Sequence, residues 1–155
     1  MTPSVLELGI EIAHRVVWAT MTTVDAKGRP RSRIVHPVWT SRLDGVTGWL
    51  TTRKTPVKLR HLAGNPHVSF SYLAPNHDLA YFDCVAEWVD DPDGKLQCWN
   101  TFVRADPPVG YDPISIWTDG PGSPDFAALR LRPYRIQAGR AVDIAAGRKP
   151  LIANL

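Results

Sequence analysis

Cysteine is scarce in this 155-residue chain: Cys84 and Cys98 are the only two. They form no C-x-x-C pair and no secretory segment precedes them, so a disulfide scaffold is excluded and reduced thiols in a cytoplasmic protein are expected. Long apolar runs are missing as well. Arg, Asp or Gly interrupts each of them short of the roughly 18 residues a membrane span needs, which leaves no membrane partner in view. A strong charge of one sign is also lacking, since 18 Lys and Arg against 15 Asp and Glu give a net +3. Basic residues interleave with acids except at Arg29 to Arg33 and Arg53 to His61, too short a stripe for a nucleic-acid partner to be expected. A nucleic-acid-binding barrel built on Arg29 to Arg33 would betray itself by steeply salt-dependent binding.

Catalytic signatures are absent in the same way. There is no G-x-S-x-G, no P-loop and no G-x-G-x-x-G, so hydrolase and nucleotidase readings have no anchor. His14, His36, His61, His67 and His77 offer no ligand spacing with each other or with the cysteines, and no metal is expected. A structural role suits each of them except His36. The acids of "EWVDDPDG" (Glu87 to Gly94) read as a solvated hairpin end or a helix N-terminus rather than an acid–base pair.

What is present is a globular composition, 44% apolar and 21% charged, in a length suited to one domain over residues 1–155. Thr2 and Pro3 read as the start of a helix that ends near Arg15, with Val5, Leu8 and Ile12 on one face. "VVWATMTTVD", "RSRIVHPVWT" and "VTGWLTT" then read as a three-strand antiparallel meander, with Ile34 and Val38 sharing a parity. "TPVKLRHLAGNP" reads as a crossover helix: Thr55 as cap, Pro56 at its first position, Leu59 and Leu62 inward, Gly64 as the stop. "HVSFSYL" and "LAYFDCVAEWVDD" are further strands, and "PDGKLQCWNTF" is a helix with Leu96, Trp99 and Phe102 inward, stopped by "RADPPVGYDP". "FAALRLR" and "YRIQAGRAVDI" read as a last pair of strands, and the tail "AAGRKPLIANL" as a strand end or a segment packed on a partner. The architecture is mainly β, an antiparallel barrel of six to seven strands with short helices. Of the six tryptophans, Trp18, Trp39, Trp49 and Trp88 lie in strand-like runs and read as core. Trp99 and Trp117, beside loops, are the cofactor or interface candidates.

The chemistry gathers at "LTTRKTPVKL". Thr51 and Thr52 leave a strand as hydroxyl donors, Lys58 stands in the first turn of the next helix, and backbone N–H groups at that helix start add attraction for an anion. Arg33, on what reads as the hairpin partner of the same strand, adds a second cation. The set reads as a monophosphate clamp; the alternative is a solvated basic helix face.

The order of these elements resembles the FMN-binding split-barrel superfamily, the pyridoxamine 5′-phosphate oxidase-like proteins, including the branch that uses the deazaflavin coenzyme F-420. The residues that carry it are "TTVDAKGRPRSRIVHPVW" (Thr22 to Trp39), "LTTRKTPVKLRHLAGNPHVSFSY" (Leu50 to Tyr72) and "PDFAALRLRP" (Pro124 to Pro133), the last similar to the closing strand of general-stress-protein members. The resemblance implies a split barrel of FMN-binding type. It makes Arg33, Ile34, Val35 and His36 the strand along the flavin or deazaflavin ring, with Thr51, Thr52 and Lys58 on its phosphate. It further implies a homodimer with the cofactor at the interface and hydride transfer to or from a small-molecule substrate, with Arg53 and Lys54 at the rim. FMN is placed ahead of F-420 because of the superfamily's wider usage; "HPVW" and the basic loop speak for F-420. A non-catalytic flavin-binding, storage or sensing protein is the alternative. Val57 stands where an Arg is expected, Pro56 near an expected Ser, and the C-terminal Trp and Arg segment that holds pyridoxal phosphate is missing, so true vitamin B6 oxidase activity is not implied.

Overall fold

The computed structural model describes residues 4–53 and 55–155. The expected helix start at Thr2 and Pro3 lies outside them. Helix α1 (Val5–Val16) is instead capped by Ser4, whose hydroxyl accepts from the Glu7 amide while the Glu7 carboxylate accepts from the Ser4 amide. It buries Leu8, Ile12 and Ala13 against the sheet.

Eight strands follow: β1 (Ala19–Val24), β2 (Pro30–Val35), β3 (Val38–Arg42), β4 (Gly45–Thr52), β5 (His67–Leu73), β6 (Leu79–Val89), β7 (Ala127–Gly139) and β8 (Leu151–Asn154). All their pairings are antiparallel, in the order β2-β1-β5-β6-β7-β4-β3, with β8 added to β7. Helix α2 (Pro56–Gly64) links β4 to β5, α3 (Pro92–Arg104) follows β6, and a short α4 (Ala141–Ala145) follows β7. This is a mainly β, antiparallel split barrel with short helices.

Several sequence expectations change here. The run "RSRIVHPVWT" is two strands, not one, because it breaks at His36–Pro37, where proline removes a ladder donor. Consequently β2 pairs with β1 while β3 pairs with β4 at the opposite end of the sheet, and the meander is two separate hairpins. The break also ends the shared parity: Ile34 is 63% exposed and Val38 2%. Conversely, the expected last pair of strands is one strand. In β7, Pro133 pairs with Cys84 and Arg135 with Asp83, leaving Tyr134 as the extra residue of a bulge, which is where a long strand tolerates proline. Its C-terminal portion "AVDI" turns into α4, and the tail forms β8, which brings the count to eight.

Two cores result. The inner one stacks Trp39 on Phe82, ring centroids 4.1 Å apart, and the Trp39 indole N–H donates to Tyr72 Oη at 2.8 Å. Gly48, opposite Trp39 in the ladder, makes room for that ring: a Cβ there would lie 2.5 Å from it. The outer core sits under α3 and holds Trp49, Trp99, Phe102, Trp117 and Phe126. Asp91 caps α3 by accepting from the Gly94 amide at 2.8 Å, so the acidic run is a helix N-terminus. Leu96 and Leu59 are 44% and 40% exposed, and the inward positions of their helices are Trp99, Phe102 and Leu62. The tryptophan assignment is overturned at three places. Trp99 and Trp117 are core, whereas Trp18 is 59% exposed.

Candidate functional site

A cleft of about 500 Å³ opens between the end of β2 and the end of β4. Its lining is Ile34, Val35 and His36 from one side, Leu50, Thr51 and Thr52 from the other, Lys58 from α2, Trp18 before β1, and Tyr111 and Ile116 from the loop after α3. Six of the seven residues expected at the site therefore meet in one cavity, and the seventh, Arg33, stands behind it. A larger groove of about 690 Å³ between β3 and α3 contains none of them.

The clamp is built from side chains. Thr55 caps α2 and its hydroxyl accepts from the Lys58 amide at 3.2 Å; Pro56 has no N–H, and the Leu59 amide bonds to the Thr55 carbonyl. The helix start thus contributes less than the sequence suggests, since of its first four positions Pro56 has no N–H and the Lys58 and Leu59 amides are engaged. The Lys58 ammonium donates to the Thr52 hydroxyl, and the Thr51 hydroxyl is paired with the Tyr111 phenol. Arg33 does not lie on the hairpin partner of β4, contrary to expectation. Barrel closure brings it to Lys58 all the same, close enough for repulsion to be felt at the ammonium.

Those two cations define the electrostatics. Lys58 is held below the ordinary lysine range, first by burial and then by Arg33. Arg33 is likewise pulled down, by burial and then by Arg31. One of the Arg33 terminal nitrogens, Nη1, is buried with no hydrogen-bond partner in the described structure, while Nη2 donates to Thr23 Oγ1 at 2.8 Å. No carboxylate lines the cleft. A desolvated donor without an acceptor, beside a desolvated ammonium, is a site shaped for an anion brought from outside.

At the other end of the cleft His36 Nε2 donates to the Val109 carbonyl at 2.6 Å, which assigns the proton to Nε2 and leaves Nδ1 an acceptor. Burial lowers the His36 pKa, partly opposed by that bond, and so favours the neutral ring. Trp18 and Tyr111 pack on it at 5.1 and 5.5 Å between centroids. Among the other histidines, His14 has the structural role expected of it: its Nε2 accepts from the Trp39 amide at 3.0 Å. Arg53 pairs on the surface with Asp125 at 2.8 Å, and Lys54 lies outside the described residues. Cys84 and Cys98 are buried free thiols, and burial raises the pKa of both.

Sequence reasoning missed Trp18, Leu50, Tyr111 and Ile116. Tyr111 and Ile116 lie in or just past a proline-rich stretch legible only as a helix stop, and Trp18 sits in a run whose composition reads as an ordinary strand.

A family model described as pyridoxamine 5′-phosphate oxidase matches residues 11–138. The chain belongs to the pyridoxamine 5′-phosphate oxidase family. That places it within the FMN-binding split-barrel superfamily. No curated protein matches its sequence. Among solved structures it is similar to a protein of Clostridium acetobutylicum related to general stress protein 26, with 16% identity, a TM-score of 0.69, and 94% of this chain and 90% of that one covered. It is similar also to a heme-binding protein of Mycobacterium smegmatis, at 19% identity and a TM-score of 0.70, over 99% of this chain but only 59% of that one. A third is an F-420 reductase, at 19% identity and a TM-score of 0.56, over 81% and 93% of the two chains. At these identities the likeness is one of fold. The family therefore fixes the cleft's architecture, while its occupant has to be argued from the cleft's own chemistry.

Proposed function

We propose that this protein is a flavin-type cofactor-binding oxidoreductase that transfers a hydride to or from a small-molecule substrate. The observation that carries the reading is Lys58, desolvated beside the hydroxyls of Thr51 and Thr52 in a cleft whose described lining holds no carboxylate, with the desolvated Arg33 behind it. A monophosphate meets all four: Arg33 and Lys58 match its charge, and the threonines donate to its oxygens once they exchange their present partners.

A flavin or deazaflavin in the cleft supplies the hydride chemistry. The chain's part is to bind, orient and exclude water. Ile34, Val35 and His36 would form the wall beside such a ring, with Trp18 and Ile116 as apolar neighbours and His36 Nδ1 as a hydrogen-bond acceptor in that wall. The cleft lining holds no carboxylate or thiol to act as general acid or base, and hydride transfer by a bound cofactor needs none. FMN is placed ahead of F-420 because the clamp suits a terminal monophosphate. The exposed Trp18, Ile34 and Ile116 at the cleft mouth suit cover by a second copy, giving a homodimer with the cofactor at its interface. Two buried free thiols suit a cytoplasmic setting.

The second reading is a protein that binds, stores or senses its ligand without turnover. It is favoured by the absence of a carboxylate or thiol among the described lining residues and by the fold likeness to a heme-binding protein. Titration of the purified protein with FMN, F-420 and haemin, followed by absorbance and fluorescence, decides the ligand. FMN is expected to bind tightest, and saturation by haemin alone would sink the flavin reading. Anaerobic mixing of the reduced, loaded protein with a panel of acceptors then separates enzyme from binder: reoxidation by one acceptor class is expected of the enzyme.

A further inference from the structure

Strand β1 alternates buried and half-buried residues, and its inward row is Ala19, Met21 and Thr23. Two of these are apolar, as an inward row should be. Thr23, 1% exposed, breaks the row with a hydroxyl. Valine has the same shape and would bury without needing a partner, so the hydroxyl calls for an explanation.

That hydroxyl is engaged twice. Arg33 Nη2 donates to Thr23 Oγ1 at 2.8 Å, and Thr23 Oγ1 lies 3.0 Å from Nδ1 of His61, a residue 7% exposed on α2. Arginine can only donate, so the Thr23 oxygen accepts from it. The Thr23 oxygen keeps a second lone pair as well as its proton, so it bonds His61 Nδ1 in either ring tautomer. The chain of bonds links Arg33, Thr23 and His61 and crosses from β2 through β1 to α2.

Both ends of this chain govern the clamp. Arg33 sits two positions away from Thr23 diagonally across the β1–β2 ladder, so the bond to Nη2 fixes the guanidinium and leaves Nη1 as the unpartnered nitrogen. His61 lies three residues after Lys58 and thus on the same face of α2. Tying His61 to the barrel wall fixes the rotation of the helix, and with it the direction of the Lys58 side chain.

We propose that Thr23 and His61 are positioning residues of the anion site: the hydroxyl of one and the ring nitrogen of the other hold Arg33 and Lys58 in register for a phosphate monoester. This rests on the phosphate-clamp reading above. Thr23 and His61 line no cavity around the ligand and touch it only through the two cations.

The test compares FMN with riboflavin, which has the same ring and no phosphate. Wild-type protein is expected to prefer FMN, and Lys58→Ala to abolish most of that preference. If wild type does not prefer FMN, the clamp reading itself fails and the positioning roles fall with it. Given that preference, Thr23→Val is expected to weaken FMN binding about tenfold, the scale of one hydrogen bond to a charged group, while riboflavin affinity stays unchanged. Thr23→Ser is expected to restore FMN affinity. In the same way His61→Leu should lower FMN affinity selectively, and His61→Asn, which keeps an acceptor near the Nδ1 position, should rescue it. A merely structural role would move both ligands together, and that outcome overturns the proposal. So does a Thr23→Val variant that binds FMN like wild type while Lys58→Ala does not. Circular dichroism on each variant confirms the fold, and if Thr23→Val is unfolded the His61→Leu and His61→Asn pair carries the same decision.

Discussion

Two charged clusters at opposite places in the fold treat their ions in opposite ways. Asp78, just before β6 and 3% exposed, is fully answered: Arg15 of α1 donates to it at 2.6 Å, the Ala141 amide at 2.8 Å and Asn76 Nδ2 at 3.2 Å, with Arg140 4.0 Å away. Burial pushes its pKa up, but the bonds from Arg15, Ala141 and Asn76 outweigh it and hold the carboxyl below the usual range. Arg15 is correspondingly raised, chiefly by its bond to Asp78. At the cleft, Arg33 and Lys58 are desolvated together and both are lowered. The first cluster has spent its charge inside the protein, joining α1, the β5–β6 turn and the start of α4. On the proposed reading the second keeps its charge for an anion that arrives from solvent, and the fold bears the cost of the desolvated cations until it does. Cations brought together without a carboxylate therefore distinguish the cleft from the larger groove, where Arg42 and Arg104 share the lining with Asp93 and Asp106.

The largest effect expected from this contrast is on Asp78. Replacing it with alanine takes the nearer carboxylate from Arg15, which keeps Glu11 at 3.4 Å, removes the carboxylate beside Arg140 and frees the Ala141 amide. Removing one partner of a buried pair costs about 3–5 kcal/mol, and the exposure of Arg15 puts the expected loss near the lower end. Urea unfolding measures it, and FMN affinity of the protein that stays folded is expected to be unchanged. An affinity loss without a stability loss would break the division between the two clusters.

Lys58→Ala combined with Thr52→Val is the converse. It removes one cation and one hydroxyl from the clamp, at about 1.5–3 kcal/mol for a contact to a charged group, so FMN affinity is expected to fall on the order of 100-fold. Thermal stability should hold or rise, because a desolvated ammonium beside Arg33 is no longer being buried. Isothermal titration and a melting curve on the same sample decide it. Unchanged affinity would mean that the anion site is elsewhere.

How far either cluster could be read in advance follows from the range of the interactions. Thr55, Pro56 and Gly64 announce α2 because caps and stops act within a turn of the chain, and Thr51, Thr52 and Lys58 then fall together by local geometry. Leu59 could not be placed by spacing alone: Leu59 and Leu62 are both apolar, but the direction of the barrel wall decides which is buried. The same holds for the tryptophans, where Trp18 and Trp99 exchanged their expected places because burial depends on what packs over each segment. His36–Pro37 was a visible breaker whose consequence, the parting of β2 from β3, appears only once the sheet order is known. Asp78 was invisible in the sequence because its partners lie at Arg15 and Ala141, 63 residues away on either side. Arg33 was legible as a cation near the clamp but for the wrong reason, since it arrives by barrel closure and not by pairing with β4.

A smaller effect separates the two clusters along the pH axis. The lowered folded pKa of Asp78 adds stability that is fully present above the unfolded value of 3.8 and is lost as pH falls through the folded value below it. The clamp responds at the other extreme. A phosphate dianion bound beside Lys58 raises the pKa of that ammonium relative to the free protein, so binding takes up a proton wherever free Lys58 has begun to lose its own. Because burial and Arg33 set the free value below 10.5, FMN affinity is expected to decline on the alkaline side before pH 10.5, by up to about tenfold per pH unit. Below roughly pH 6 the phosphate takes up its own proton and the attraction weakens again. Ionisation of the flavin ring is common to FMN and riboflavin, so the ratio of their affinities isolates the clamp. That ratio should form a plateau with a fall on each side, and Lys58→Ala should remove the alkaline fall while leaving the acid one. An alkaline fall that persists in Lys58→Ala would assign the titration to another group and leave Lys58 as a bystander to the phosphate.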